Sequence, residues 1–147
     1  MRVAVASDHA GSALRARLVG RLTETGHEAV DLGPPGQEPV DYPVYARRVC
    51  AAVLDGSADR GILICRTGLG MSMAANRCRG IRAALCLFPL MAETARRHND
   101  ANVLVMGAGI TADFLAAEIL DVFLRTGFDG GRHAGRVAAI EPPAELG

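Results

Sequence analysis

The 147-residue chain is half apolar and carries sixteen basic and sixteen acidic residues, so its formal net charge is zero. That length fits one ordinary domain able to bury a core, and the apolar share argues against general disorder. Balanced charge offers no broad basic surface to nucleic acid and no attraction to an anionic membrane, and the apolar runs are too short and too interrupted by charge to cross a bilayer. Met1 to Ala6 reaches the polar Ser7-Asp8-His9 before any signal-like segment develops, and Cys50, Cys65, Cys78 and Cys86 form no CxxC pair. Scattered thiols of this kind fit a reducing, cytoplasmic setting rather than a disulfide scaffold.

Val3 to Ala6 reads as a buried first strand, followed by a helix from about Ser12 to Thr25 with Leu14, Leu18 and Leu22 at helical spacing and Gly26 as its stop. His27 to Leu32 is a second strand, and Gly33-Pro34-Pro35-Gly36 opens a loop that reaches Asp41-Tyr42-Pro43. A helix resumes at Pro43, where a missing N–H costs little, presents Ala46, Val49 and Val53 on one side and ends at Gly56. Gly61 to Ile64 is a short strand before Cys65, and Met71 to Asn76 is helical. Strand Ile81 to Cys86, helix Met91 to His98 and strand Asn102 to Met106 follow. Thr111 is placed to cap a last helix whose inward face is Leu115, Ile119 and Val122, before Gly127. The stretch from about 128, Phe128 to Arg136, is too basic and glycine-rich for simple core and is placed to fold back onto a site.

Five apolar strands alternating with helices predict an α/β sandwich around a mainly parallel sheet. Ligands of such sheets sit beyond the strand C-termini, where Asp8-His9, Cys65-Arg66-Thr67, Leu87-Phe88 and Gly107 all fall. The segment from Gly61 to Asn76 carries the most chemistry, because an apolar run ends in a cysteine and then a glycine-rich turn. Gly68 and Gly70 permit a tight turn with N–H donors near a ligand, but they match neither the dinucleotide fingerprint nor a Walker loop. By residues alone, an anion or sugar-hydroxyl site and a purely structural strand-to-helix turn remain equal readings.

A thiolate at Cys65 can remove a proton from carbon or attack an electrophile, while Cys50 and Cys86 read as small core residues. Asp8 can orient hydroxyls or cap the next helix, and His9 can bind an anion or shuttle a proton. His98 can take part in catalysis or complement a helix C-terminus. Arg132 and Arg136, four residues apart, share a face if helical and can grip phosphate oxygens, or form an exposed basic tail. Arg47-Arg48 and Arg96-Arg97 read as solvated helix faces, His27 as a strand-edge residue and His133 as a brace for the tail. No histidine or cysteine spacing suggests a metal site.

Ser7-Asp8-His9-Ala10-Gly11, Val40-Asp41-Tyr42-Pro43, Asp59 to Cys65, Ala74-Ala75-Asn76, Gly80 to Ala84, His98 to Leu104 and Gly130-Gly131-Arg132-His133 together span nearly the whole chain. On these motifs the sequence resembles the type B ribose-5-phosphate isomerases and the relatives that form galactose-6-phosphate isomerase subunits. The resemblance implies a Rossmann-like three-layer sandwich and a single sugar-phosphate isomerase domain over 1–147. It implies a homodimer or dimer-based tetramer with sites completed across subunits, and aldose-ketose isomerisation of a sugar phosphate without metal or other cofactor. It assigns Cys65 as the base, and His98, helped by Thr67, as the group that opens the cyclic sugar. It further gives substrate contacts to Asp8, to backbone donors of Gly68, Leu69, Gly70 and Met71, and to Asn99, with His9, Arg132 and Arg136 on the phosphate.

The sequence departs from that family pattern where Arg66 stands for a glycine after the cysteine and Gly109 for an arginine after the last strand. Phe88 replaces a more polar loop residue, and Gly135 a frequent basic one. The expected function is ribose 5-phosphate to ribulose 5-phosphate isomerisation through an enediol, with Arg66 among the substrate contacts. The alternatives are a four-carbon, six-carbon or unphosphorylated sugar as substrate, or a non-catalytic sugar-phosphate-binding protein.

Overall fold

The computed structural model describes residues 1–36, 38–141 and 143. Five strands, β1 (Arg2–Ser7), β2 (Glu28–Asp31), β3 (Arg60–Cys65), β4 (Ala83–Leu85) and β5 (Val103–Gly107), alternate with helices. The helices are α1 (Ser12–Glu24), α2 (Tyr42–Leu54), α3 (Leu69–Ala75), α4 (Pro89–Asn99), α5 (Asp113–Arg125) and α6 (Arg132–Ala138). Every strand pairing is parallel and the order is β2-β1-β3-β5-β4. The expected α/β sandwich is therefore present, with a wholly parallel sheet.

Strand alternation divides the core into two layers, because successive side chains point to opposite faces. Val3, Val5, Ile62, Ile64, Leu104 and Met106 pack with Leu14, Leu18 and Leu22 of α1, Ala92 and Ala95 of α4, and Ile119, Leu120 and Phe123 of α5. Ala4, Ala6, Leu63, Cys65, Val103 and Val105 pack on the other face, with Tyr45, Ala46, Val49 and Cys50 of α2 and Met71 and Ala75 of α3. The chain reverses direction across the sheet between β1 and β3, so the connections leaving these neighbours go to opposite faces and open a crevice at their C-terminal ends. Cys65 belongs to the α2/α3 layer at that crevice.

Several element boundaries differ from the sequence reading for local reasons. Strand β4 is only three residues long, because side chains replace the ladder at its start. Asn102 Oδ1 accepts from Arg82 N at 2.8 Å, and Asn76 Oδ1 accepts from Ala83 N at 2.8 Å. Helix α4 begins at Pro89, two residues early, with proline in the first turn. Thr111 does not cap α5: the N-cap is Ala112 without a side-chain bond, and Thr111 Oγ1 is buried without a partner. The glycine-rich tail contains α6, entered through Gly130 and Gly131 at φ 63° and 53°, and packs against α4.

Arg96 corrects the expectation of a solvated face. Its side chain is 3% exposed. Its NH1 donates to Asp100 Oδ1 at 2.8 Å and Ala101 O at 2.6 Å, its Nε donates to Thr126 O at 3.2 Å, and its guanidinium lies over the Phe123 ring. This buried charge pins the C-terminus of α4 to the turn before β5 and to the end of α5. Phe123→Ala should remove both a large core volume and the ring beneath that guanidinium, lowering stability by about 3–5 kcal/mol in urea denaturation. A loss below about 1 kcal/mol would show that the α4/α5 layer does not depend on this packing.

Candidate active site

Three loops meet at the C-terminal edge of the sheet. After β1, Asp8 takes an extended backbone (φ −85°, ψ −174°) and its Oδ1 accepts from Gly11 N at 3.0 Å, capping the one-turn 3₁₀ helix at His9–Gly11. Asp8 N donates to Ile64 O at 3.1 Å, fixing this loop to β3. The capping role read from sequence is real, and it engages one carboxylate oxygen. His9 is exposed; its Nδ1 accepts from Val40 N at 3.4 Å, leaving Nε2 as a donor toward a cavity bordered by Pro39, Asp41 and Tyr45.

After β3, Cys65 is 5% exposed and its Sγ accepts from Gly68 N at 3.1 Å, so the turn itself orients the sulfur. Gly68 has φ 81°, a left-handed conformation that L side chains rarely adopt, and it starts α3. Thr67 Oγ1 accepts from Leu69 N at 3.4 Å. Gly70 and Met71 lie in the first turn of α3, where backbone N–H groups have no intrahelical acceptor. After β5, Gly107 lies against Thr67: a Cβ there would fall 2.6 Å from the Thr67 carbonyl carbon. Ala108 N donates to Cys65 O and Gly109 N to Arg66 O, both at 2.8 Å, so the β5 loop is zipped to the β3 loop.

The remaining candidates form a second group. Helix α4 returns antiparallel to the strands, so His98 and Asn99 lie just before the start of β5, whereas Cys65 is in register with its last residue, Gly107. Four residue steps along β5, about 13 Å, separate the two edges. At the far edge the His98 and His133 rings stack, with centroids 4.2 Å apart and planes 6° from parallel. Asp129 accepts from Arg97 Nε through both oxygens, at 3.2 and 3.1 Å, while exposed Arg132 and Arg136 project from α6. Asn99 borders a cavity of about 380 Å³ with Leu85, Cys86, Leu90 and Met91.

The structure thus gathers Asp8, His9, Cys65, Arg66, Thr67 and the Gly68–Met71 turn at one edge, and His98, Asn99, Arg132 and Arg136 at the other. His133 was read only as a brace and Asp129 not at all; thirty-five residues separate His133 from His98, so no local spacing could link them. Ligand atoms of His98, Asp129 and His133 lie within 4.8 Å of one another, close enough to prompt a metal reading. Parallel stacked rings aim their in-plane lone pairs side by side rather than at one point, and Arg97 holds both Asp129 oxygens, so this trio does not fit a cation. The neighbourhood is electropositive. Burial, then His98, Arg132 and Arg136, hold His133 below its ordinary range against the opposing pull of Asp129.

The family model described as Ribose/Galactose Isomerase matches residues 3–140. The ribose-5-phosphate isomerase B of Escherichia coli K12 is 45% identical over 139 residues, covering 95% of this chain and 93% of that protein. A putative sugar phosphate isomerase of Bacillus subtilis is 45% identical over 141 residues, with 95% of each covered. The crystal structure of a ribose 5-phosphate isomerase from Thermotoga maritima superposes with a TM-score of 0.93 at 52% identity, covering 95% of this chain and 96% of that one. The ribose-5-phosphate isomerase B of Clostridium thermocellum gives 0.94 at 46%, with 95% of each chain covered.

The four thiols separate by environment. Burial pushes Cys86 up to about 12, and burial together with neighbouring Cys78 raises Cys50. At pH 8 a thiol of that acidity is ionised to about one part in ten thousand. Iodoacetamide at pH 8 should therefore alkylate half-buried Cys78 well ahead of Cys50 and Cys86 in native protein, with all four labelled in urea, as peptide mass spectrometry would record. Equal native labelling of Cys78 and Cys86 would contradict this assignment.

Proposed function

The chain belongs to the ribose/galactose isomerase family, and we propose on that premise that it interconverts ribose 5-phosphate and ribulose 5-phosphate. It is an aldose-ketose isomerase, and the whole chain acts as one catalytic domain. The observation that carries the reading is the β3 turn: a cysteine at the crevice, its sulfur oriented by Gly68 N–H, with unsatisfied N–H groups of the first α3 turn beside it.

His98 first opens the furanose, moving the proton of O1 toward the ring oxygen with Thr67 assisting. Cys65 then takes the proton from C2. The C–H electron pair becomes the C1–C2 double bond as the carbonyl pair shifts to O1, and the resulting enediolate oxygen meets the Gly68–Met71 turn, whose Gly70 and Met71 N–H groups are free to donate. Returning that proton to C1 while the O2 proton passes to O1 restores a neutral hydroxyl at O1 and a carbonyl at C2, yielding the ketose with no net redox change. One Asp8 oxygen is engaged by Gly11 N–H, leaving the other to accept a sugar hydroxyl, and Asn99 holds a second. His9, Arg132 and Arg136 bind the phosphate, a remote anchor that fixes the short carbon chain.

This chemistry requires two chains, because Cys65 and His98 of one protomer face opposite edges of the sheet. A homodimer, or a tetramer built of such dimers, supplies His98, Asn99, Arg132 and Arg136 to the partner's Cys65 crevice. Support comes from the exposed apolar side chains of Leu69 and Met73 on α3 and of Phe88 and Leu90 at the start of α4, which a partner would cover. Four free thiols fit action in the cytoplasm. Among the described residues no helix is long and apolar enough to cross a membrane.

Cys65→Ala should lower kcat for ribose 5-phosphate by at least about a thousandfold while the protein stays folded, in a discontinuous assay of ribulose 5-phosphate. Undiminished turnover would remove Cys65 as the base. His98→Asn should also be inactive at ring opening. Unfolding and refolding the two variants together should restore about a quarter of wild-type activity, since half of random dimers would each hold one intact shared site. No restoration, with heterodimers demonstrated by mass, would show that each site is built from one chain.

A further inference from the structure

We propose that Arg66 is a phosphate-reading arginine contributed, alongside His9, by the same chain as Cys65, and that Gly109 lacks a side chain in order to seat it. The proposal rests on the sugar-phosphate reading above and names how the crevice selects a phosphorylated substrate.

Arg66 follows Cys65 directly and its side chain is exposed at the crevice. Many arginines of the chain are committed: Arg15 to Ser7, Pro34 and Asp31, Arg82 and Arg96 to Asp100, Arg97 to Glu93 and Asp129, Arg17 to Asp113. The Arg66 guanidinium makes no hydrogen bond or ion pair among the described residues, and the acids that follow β1 and β5 have other partners. Asp8 caps Gly11, and Asp113 pairs with Arg17. Arg66 thus pairs with no acid among the described residues, and its five N–H donors are free of protein partners in the loop that follows Cys65.

The seat is defined sterically. Gly109 N donates to Arg66 O at 2.8 Å, and a Cβ at position 109 would lie 3.0 Å from that oxygen and 3.2 Å from Arg66 Cγ. Gly109 does not have a positive φ, so its backbone conformation does not demand glycine; the close approach of Arg66 does, through its carbonyl oxygen first and its Cγ second. A side chain at 109 would crowd the stem and turn the guanidinium aside. A planar fork held by its stem matches a phosphate dianion, whose oxygens accept paired N–H bonds, better than it matches a single hydroxyl.

The test measures wild type, Arg66→Ala, Gly109→Ala and the double variant against ribose 5-phosphate, unphosphorylated ribose, and inorganic phosphate as a ligand in calorimetry. Arg66→Ala should weaken phosphate binding and lower kcat/KM for ribose 5-phosphate by about ten- to a hundredfold, leaving kcat/KM for ribose within about twofold. Gly109→Ala should cost several-fold on ribose 5-phosphate with Arg66 present and clearly less in the Arg66→Ala background, where only the contact with the residue 66 backbone remains. Equal losses on ribose and ribose 5-phosphate, or no loss on either, would overturn the phosphate role. A Gly109→Ala cost that is the same in both backgrounds would overturn the seat. A wild type that isomerises no sugar phosphate yet loses phosphate binding on Arg66→Ala would support Arg66 while refuting the isomerase reading.

Discussion

A helix that follows a strand of a parallel sheet must run back against it before the next parallel strand can begin, and this reversal governs where the chemistry sits. Cys65 ends β3 at one edge. His98 lies in the last turn of α4, whose start follows the C-terminal end of β4, and so arrives at the opposite edge near the first residue of β5. No side-chain motion spans the distance without dismantling α4, since Arg96 fastens that helix end to Asp100, Ala101 and Thr126. With Cys65 at one edge and His98 at the other, the proposed reaction draws on two copies of the chain, and symmetric association is the economical way to bring the two edges together.

Each half is stiffened by different means. At the Cys65 edge, the β3 and β5 loops touch through backbone, with Gly107 against Thr67 and Gly109 against Arg66, and Asp8 N–H ties the β1 loop to Ile64. The backbone donors of that turn are therefore held in place, the property that electrostatic stabilisation of the proposed enediolate requires. At the His98 edge, rigidity comes from ring stacking on His133 and from the Arg97–Asp129 pair that holds the loop before α6. Positive potential there suits a phosphate, and burial together with that potential lowers the pKa of His133.

The alternation of apolar runs and helical repeats made the α/β sandwich legible, because buried parallel strands and amphipathic helices leave distinct periods. Cys65, Asp8 and the Gly68 turn were legible too, since all lie where strands end. Helix α6 was not, as seven residues entered through Gly130 and Gly131 carry too little periodicity to stand out. Arg96 misled because an arginine beside another arginine resembles a solvated face, and only the folded turn from Asp100 to Ala101 supplies its acceptors. The His98–His133 stack depends on α4 meeting α6, a contact that sequence spacing does not encode. The family resemblance placed His98 and Cys65 in one reaction, whereas the sheet puts them at opposite edges of one chain.

The most direct measurement is a crystal structure with a phosphorylated hydroxamate, a mimic of the enediolate. The account predicts the hydroxamate within hydrogen-bond distance of Cys65 Sγ and the Gly68–Met71 N–H groups of one chain, with His98 and Asn99 approaching from its partner. A ligand held by Cys65 and His98 of the same chain, or bound away from the β3 turn, would contradict it.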